Sequence, residues 1–454
     1  MKFYDREEEM KILLDNEMQS RDHAMFTVLM GRRRIGKTSL LLHSLKGTEH
    51  AYLFVSKDNE SLLCQKFRKI LEESLHLSIY GTITNFRDLF EIIMKESEKR
   101  HFTVVLDEFQ NLYTANPSIF SEIQDIWDRY HATSRLNLIA CGSIHSLMKR
   151  IFEDKSEPLY GRPSSKFILH PFRLSVIKQI LSDSHPEYSS EDLLCLYMLT
   201  GGVAKYLELF VDRGNLTKKN MLDAVCRQDS YFLSEGFDLI NNEFQRDYNT
   251  YFSILQLIAS GMTQRTEIDG VLQKSMGVYL KKLESDYEMI SRQQPLKAKP
   301  GSKITRYQIK DPFLRFWFRF IYPYQNLIES NQLSLIRENI EHQYNQFTGR
   351  TLEAYFQQKA MESGRFTCVG NWWDRKGEKE IDLLALNDFD HTGMVAEIKR
   401  EKNRISLPGL QKKVEALPVT FHKYYFQLPY VPQQAEIRNR LRSSGVASGA
   451  CKFL

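Results

Sequence analysis

The stretch MGRRRIGKTS, Met30 to Ser39, constrains this chain more than any other segment. Gly31 and Gly36 bracket a short loop that runs into Lys37 and Thr38; the apolar run FTVLM comes before it and SLLLHSL after it. A strand, a loop ending in Gly-Lys-Thr and then a helix is the Walker A arrangement. In it, backbone N–H groups curl around a β-phosphate while the helix N-terminus adds positive potential. Gly31, Ile35, Gly36, Lys37, Thr38 and Ser39 are therefore expected to bind ATP. Lys37 would reach the β- and γ-phosphates, and the Thr38 hydroxyl would ligate Mg²⁺.

A second segment strengthens this expectation. Thr103-Val104-Val105-Leu106-Asp107-Glu108 is an apolar strand that ends in two acids, the Walker B arrangement. Asp107 would hold Mg²⁺ directly or through water, and Glu108 would polarise the attacking water as the catalytic carboxylate. The run Leu138–Ser143 reads as a third strand, and Ser143 at its end is the candidate γ-phosphate sensor. Arg162, in Leu-Tyr-Gly-Arg-Pro, is the candidate arginine finger, supplied in cis or by a neighbouring subunit. For both, a plain structural role is the competing reading.

Alternation of such strands with the helical patterns Ser39–Leu45, Glu60–Leu75 and Phe86–Lys99 predicts an α/β fold with a mostly parallel sheet. From about Leu174 to Asp238 helical spacing dominates, which suggests a helical lid. The six cysteines are scattered without a CxxC pair, arguing against a disulfide scaffold or a structural zinc. No apolar run approaches the roughly 18 residues of a membrane span, so no membrane partner is expected and a cytoplasmic location is.

The segments GRRRIGKT, VVLDEFQNL, GSIHSLM, LYGR and the opening FYDREEEMKILL resemble the archaeal-type ATPases of the AAA+/STAND grouping, which also occur in bacteria. The resemblance covers most of residues 1–240. It implies adenine contacts near Tyr4, Asp5 and Arg6. It also implies that Arg32, Arg33 and Arg34 face outward, toward acidic groups of another domain, another subunit or DNA phosphate. The family often carries Gly-Gly-x-Pro-x-Tyr-Leu after its lid; here Gly201-Gly202-Val203-Ala204-Lys205-Tyr206-Leu207 has alanine in the proline position.

Net charge is +5 overall, yet residues 261–320 alone hold twelve Lys/Arg against six Asp/Glu. Helical spacing at Thr266–Leu272 and Met276–Asp286, then strands at Ile290–Arg292 and Arg306–Ile309, suggest a winged helix. Its second helix would enter a major groove, with Lys274, Lys281, Lys282, Lys297, Lys299 and Lys303 steering onto phosphates. A small domain with solvated lysines that packs on the ATPase core is the alternative. The aromatic run Phe313–Tyr322 has the density of a buried helix rather than of a base-stacking platform.

Near the C-terminus, Glu380-Ile381-Asp382-Leu383 and Val395-Ala396-Glu397-Ile398-Lys399 place an acid on one apolar strand and Glu-x-Lys on the next. Alternation puts Glu397 and Lys399 on one face, so Asp382 and Glu397 are expected to share a divalent ion beside Lys399. This resembles the PD-(D/E)xK nuclease core, with Glu353 matching its acidic helix residue and Gln411 its later polar residue. The resemblance implies catalysis by Asp382, Glu397 and Lys399 and a second divalent metal held by Asp382, Glu397 and Glu353. A fold kept for binding without cleavage stays open.

The predicted organisation is a P-loop ATPase core at 1–180, a helical lid at 181–245 and a winged-helix segment at 246–322. A helical connector at 323–346 then leads to a restriction-endonuclease-like α/β domain at 347–454. The function expected is an ATP-hydrolysing, DNA-associated protein. The alternative is a STAND-type regulatory ATPase that binds a protein partner through its C-terminal domains, without nuclease activity; a homo-oligomer is a further expected partner state.

Overall fold

A computed structural model describes residues 1–426, except 144, 242, 243, 245–247 and 303. Lys303 and residues 427–454, which fall in the predicted winged-helix and C-terminal domains, lie outside the described residues. Internal contacts divide the chain into two compact units: Tyr4–Pro171, and Phe172 onward together with Met1–Phe3.

The first unit is built on five strands, β1 (Met25–Met30), β2 (His50–Phe54), β3 (Phe102–Asp107), β4 (Leu136–Gly142) and β5 (Ser165–Ile168). They lie in the order β2-β3-β4-β1-β5 and pair in parallel throughout. Every residue of β1, β3 and β4 is buried. Near-continuous apolar sequence is what a strand needs when helices cover both faces of its sheet. One face packs on Phe67, Phe90 and Ile123, from the helices Glu60–Leu75, Phe86–Lys99 and Ile119–Tyr130. The other packs on Leu13, Leu40 and Leu41, from Glu7–Gln19 and Lys37–Ser44. Asn59 and Asn85 start two of these helices by accepting hydrogen bonds from Leu62 and Asp88 N–H groups. The three strands that the motifs predict are present as β1, β3 and β4. β5, a short edge strand with three half-buried residues and an exposed Lys166, carries no apolar run to announce it.

The second unit opens with five helices, Leu174–Ser184, Ser190–Thr200, Ala204–Asp212, Lys218–Val225 and Tyr231–Asn241. Ala204 takes the first turn of its helix, a position that suits proline as well, so its departure from the family pattern leaves the helix start unchanged. Three more helices follow, Tyr248–Ser260, Arg265–Leu272 and Gly277–Ser285, and then an antiparallel pair, β6 (Ile290–Gln293) and β7 (Arg306–Ile309). Asp311 caps and Pro312 opens the aromatic helix Pro312–Phe320, whose Phe313, Phe316, Trp317, Phe318 and Phe320 are buried. This helix is core, as its sequence predicts.

A 30-residue helix, Leu333–Glu362, leads into β8 (Cys368–Trp373), β9 (Glu380–Asn387), β10 (Thr392–Ala396) and β11 (Tyr425–Phe426). Their order is β11-β10-β9-β8, antiparallel except for β10 with β11. The expected boundary at 180 falls inside Leu174–Ser184, which packs on the two helices Ser190–Thr200 and Leu333–Glu362. The boundary at 346 likewise falls inside the unbroken Leu333–Glu362 helix. No helix among the described residues is long and apolar enough to cross a membrane, and the five cysteines among them are unbridged.

Candidate nucleotide site and a second polar site

Parallel register brings the Walker segments together. Met30 of β1 pairs with Gly142 of β4, and Asp107 of β3 pairs with Cys141. The loop after β1, the acids at the end of β3 and Ser143 after β4 therefore emerge at one edge of the sheet, at the carboxyl ends of its strands, where open α/β sheets bind ligands. Gly31 has no room for a side chain, because a Cβ there would lie 2.9 Å from the Leu169 carbonyl oxygen. Gly36 turns the chain into the helix at φ 101°, a left-handed conformation that glycine adopts without strain. Ile35 is buried beneath the loop, and Thr38 and Ser39 are exposed at the helix start.

Lys37 is buried, and its ammonium donates to the carbonyls of Gly31 (2.7 Å) and Arg32 (3.0 Å). Burial lowers its pKa, against the opposing pull of Glu108 and Asp107. Asp107 is also buried: one oxygen accepts from the Tyr52 hydroxyl at 2.6 Å and the other from the Glu108 N–H at 2.9 Å. The Tyr52 hydroxyl also meets Thr38, so Thr38, Tyr52 and Asp107 converge. Burial and the Asp107 carboxylate hold the Tyr52 phenol well above its ordinary pKa. This donor set suits a Mg²⁺ held by one hydroxyl and one carboxylate.

Glu108 sits at φ 56° and accepts from Ser143 at 2.7 Å and from the Gln110 amide at 2.5 Å. Ser143 is thus beside the acid pair, in contact with Glu108 itself. Arg6 is buried, donates to the His170 carbonyl at 2.9 Å and pairs with Glu9 at 3.2 Å; burial lowers its pKa. Tyr4 is half-buried on the same N-terminal segment. Arg162 pairs with Asp128 at 3.0 Å and donates to the Tyr160 carbonyl, which puts it beside the Ile119–Tyr130 helix. Arg32, Arg33 and Arg34 are half-buried, not turned outward as the resemblance implies. One terminal nitrogen each of Arg32 and Arg34 is shut off from solvent.

The C-terminal acids occupy a second polar site. Asp382, buried on β9, accepts from the Lys399 ammonium and the Ile398 N–H, each at 2.8 Å. Burial opposes the Lys399 charge, yet Asp382, Glu353 and Glu397 carry its pKa above the usual value. Glu397 faces elsewhere, accepting from Lys413 at 3.0 Å and from the Ser406 N–H at 3.2 Å. β10 ends at Ala396, so the alternation expected to align Glu397 with Lys399 stops one residue too early. Gln411 is exposed; Lys413, two residues on, is the side chain that reaches Glu397. Among the described residues no group of three or more His, Cys, Asp or Glu side chains is placed to hold a metal ion. As arranged here, Asp382, Glu397 and Glu353 do not fit one shared ion.

Glu353 and Asp382 nonetheless interact: burial first, and Asp382 second, push the Glu353 carboxyl up to about 7. Asp382, Glu353, Lys399 and Lys413 all border a cavity of about 610 Å³. Its lining also includes residues of the helices Pro312–Phe320 and Leu333–Glu362 and of β7. In the basic segment, Lys274, Lys281, Lys282, Lys297 and Lys299 are exposed. Lys297, expected on phosphate, pairs instead with Asp388 at 2.9 Å. The same Pro/Gly/Lys loop is tied down by the Leu296 N–H on the Asn371 carbonyl, so it is anchored to the C-terminal sheet. Lys281 and Lys282, on Gly277–Ser285, have no ion-pair partner among the described residues.

These features define a P-loop ATPase domain joined to a second α/β unit. A family profile described as an ATPase domain predominantly from Archaea matches residues 3–210. A second, described as archaeal and bacterial proteins of unknown function, matches residues 317–412. The uncharacterized protein MJECL04 of Methanocaldococcus jannaschii is 32% identical over 408 residues, 87% of this chain and 87% of that protein. The chain belongs to this family of archaeal-type ATPases. Among solved structures, the Walker-type ATPase PABY2304 of Pyrococcus abyssi matches with TM-score 0.52 and 19% identity, covering 70% of this chain and 96% of that one. The ORC2 protein of Aeropyrum pernix, solved as ADPNP–ADP complexes, matches with TM-score 0.50 and 16% identity over 73% and 96%. At these identities the likeness establishes the fold alone.

Tyr52, Gln110 and Lys413 are the residues at these sites that sequence reading missed. No motif marks Tyr52; it meets Asp107 because Tyr52 pairs with Val105, on the same face as Asp107 and two residues before it.

Two outcomes are expected. Tyr52→Phe removes a hydrogen bond to a buried carboxylate and lowers the unfolding free energy by about 1–3 kcal/mol in urea titration. Glu353, with its folded-state pKa of about 7 against 4.5 for a free carboxyl, binds a proton when folded that the unfolded chain has released. Its contribution to stability therefore falls as pH rises from 4.5 through 7 and stays low above that. Glu353→Gln is expected to remove that fall, on the order of 1–3 kcal/mol, in melts compared across this range.

Proposed function

We propose that this protein is an ATP-hydrolysing switch associated with DNA, in which the second unit carries a winged-helix-like segment and a nuclease-like site. One observation carries the ATPase reading: Lys37, Thr38, Tyr52, Asp107, Glu108 and Ser143 converge at a single sheet edge. The loop amides and Lys37 bind the phosphates, and Thr38 with Asp107 holds Mg²⁺, which offsets charge developing on the phosphates. Glu108 orients and polarises the attacking water, and Ser143 and Gln110 hold Glu108 in place until nucleotide engages it. Arg6 and Tyr4 border the adenine. Arg162 serves as a finger only after leaving Asp128, which suits a role at a subunit interface.

The DNA reading rests on the basic composition of residues 261–320 and on exposed Lys281 and Lys282 on the third helix of a helix–helix–helix–hairpin order. The nuclease-like reading rests on the Asp382–Lys399 pair beside an open cavity. Glu397 is engaged by Lys413 and is not free to share an ion with Asp382. That engagement favours a second reading, a regulatory ATPase whose C-terminal unit binds a partner without cleaving.

Lys37→Ala is expected to abolish ATP hydrolysis in a phosphate-release assay, and unchanged turnover would refute the nucleotide site. Plasmid and branched DNA incubated with Mg²⁺ or Mn²⁺ separates the other readings: nicking lost in Asp382→Ala supports the nuclease-like site. Equal background from wild type and variant supports the regulatory reading. Lys281→Ala/Lys282→Ala is expected to weaken salt-dependent DNA binding about tenfold.

A further inference from the structure

The cavity beside Asp382 has a composition that neither reading above uses. Six Lys/Arg and three Asp/Glu line it. Lys399 and Arg306 are matched by Asp382 and Glu380, both at 2.8 Å, and Lys413 is matched by Glu397 at 3.0 Å. Three guanidinium groups remain. Arg315 and Arg319 stand one turn apart on Pro312–Phe320 and, among the described residues, donate only to neutral acceptors, the Phe347 carbonyl at 2.8 Å and the Gln343 amide. Arg350, on the neighbouring long helix, makes no hydrogen bond or ion pair among the described residues.

Arg315 and Arg350 repel each other, and Glu353 is the carboxyl that opposes them. Cations kept together in this way gain most from an anion with several acceptor oxygens, and arginine forks match a phosphate better than any other side chain does. The wall also offers flat apolar faces. Tyr307 and Phe347 line the cavity, and the Arg315 guanidinium lies 4.4 Å over the Phe347 ring. Unpaired bases stack on such rings and on arginine planes, and glutamines such as Gln308 and Gln346 can read a base edge.

Size narrows the ligand further. A cavity of about 610 Å³ falls within the range, roughly 300–1,000 Å³, that holds one small organic ligand. A duplex, whose major groove alone is about 12 Å wide, cannot enter it. We infer that this cavity takes one unpaired nucleotide with its phosphate, so that the second unit engages single-stranded nucleic-acid ends rather than intact duplex. The inference rests on the reading of this unit as one that handles nucleic acid, and it does not require cleavage.

Fluorescence anisotropy of the full chain in EDTA, with end-labelled hexathymidylate and with a blunt duplex, tests it. The single strand is expected to bind at least about tenfold more tightly than the duplex. Arg350→Glu and Arg319→Gln, checked for unchanged melting, are each expected to weaken hexathymidylate binding by about tenfold. Arg227→Gln, an exposed arginine outside the cavity, controls for the loss of charge alone. Equal affinity for both probes, or cavity variants that bind as wild type does, would overturn the inference. Single-strand binding without cleavage in Mn²⁺ upholds it and removes the nuclease reading. Cleavage of intact duplex with no single-strand preference keeps the nuclease reading and removes the inference.

Discussion

The nucleotide edge of this protein depends on the parallel register of β1, β4 and β3. Were β3 shifted by one residue against β4, Asp107 would face the other side of the sheet and lose both Tyr52 and the loop. Apolar burial on both faces holds these strands at the centre of the unit, between two layers of helices. The buried acid at the end of β3 has its acceptor oxygens satisfied by two donors, a phenol and a backbone N–H. Lys37 is placed by the same logic: a buried ammonium held by loop carbonyls, in the field of two acids.

The second unit is organised around a different constraint, the burial of aromatic bulk. Trp317 is fully buried and donates its indole N–H to the Leu233 carbonyl, which satisfies the one polar atom of the ring. Leu333–Glu362 then serves as a shared wall. Its Gln357 side chain holds the Asp382 carbonyl, its Glu362 carboxylate caps the Leu174 helix, and its Thr348 accepts from Arg400, which also pairs with Glu191. Most of the charged groups of the polar cavity are thus carried on helices and strands, although Lys399 lies just past the end of β10.

Much of this was legible in the chain. The glycine spacing and the acid pair after an apolar strand marked the nucleotide site, since few residue patterns can cradle phosphate. The aromatic helix declared itself by density. Tyr52 did not, because one tyrosine in a strand carries no signal until a neighbouring strand is set beside it. Lys413 was missed for a similar reason: helix Leu407–Glu415 turns it, and not Gln411, toward Glu397. Lys297 shows the same dependence: expected on phosphate, it pairs with Asp388, and the Leu296 N–H beside it bonds the Asn371 carbonyl, both far away in sequence.

Sequence alone therefore determined the class of the first unit, the location of its phosphate loop and the identity of its acids, because local geometry and chemistry leave those residue types little freedom. Tertiary structure alone decided which groups hold the acids, that Glu397 faces Lys413 instead of sharing an ion with Asp382, and that three arginines gather on one cavity wall. Those outcomes depend on side chains brought together from distant segments, and their partners are chosen by packing rather than by spacing along the chain.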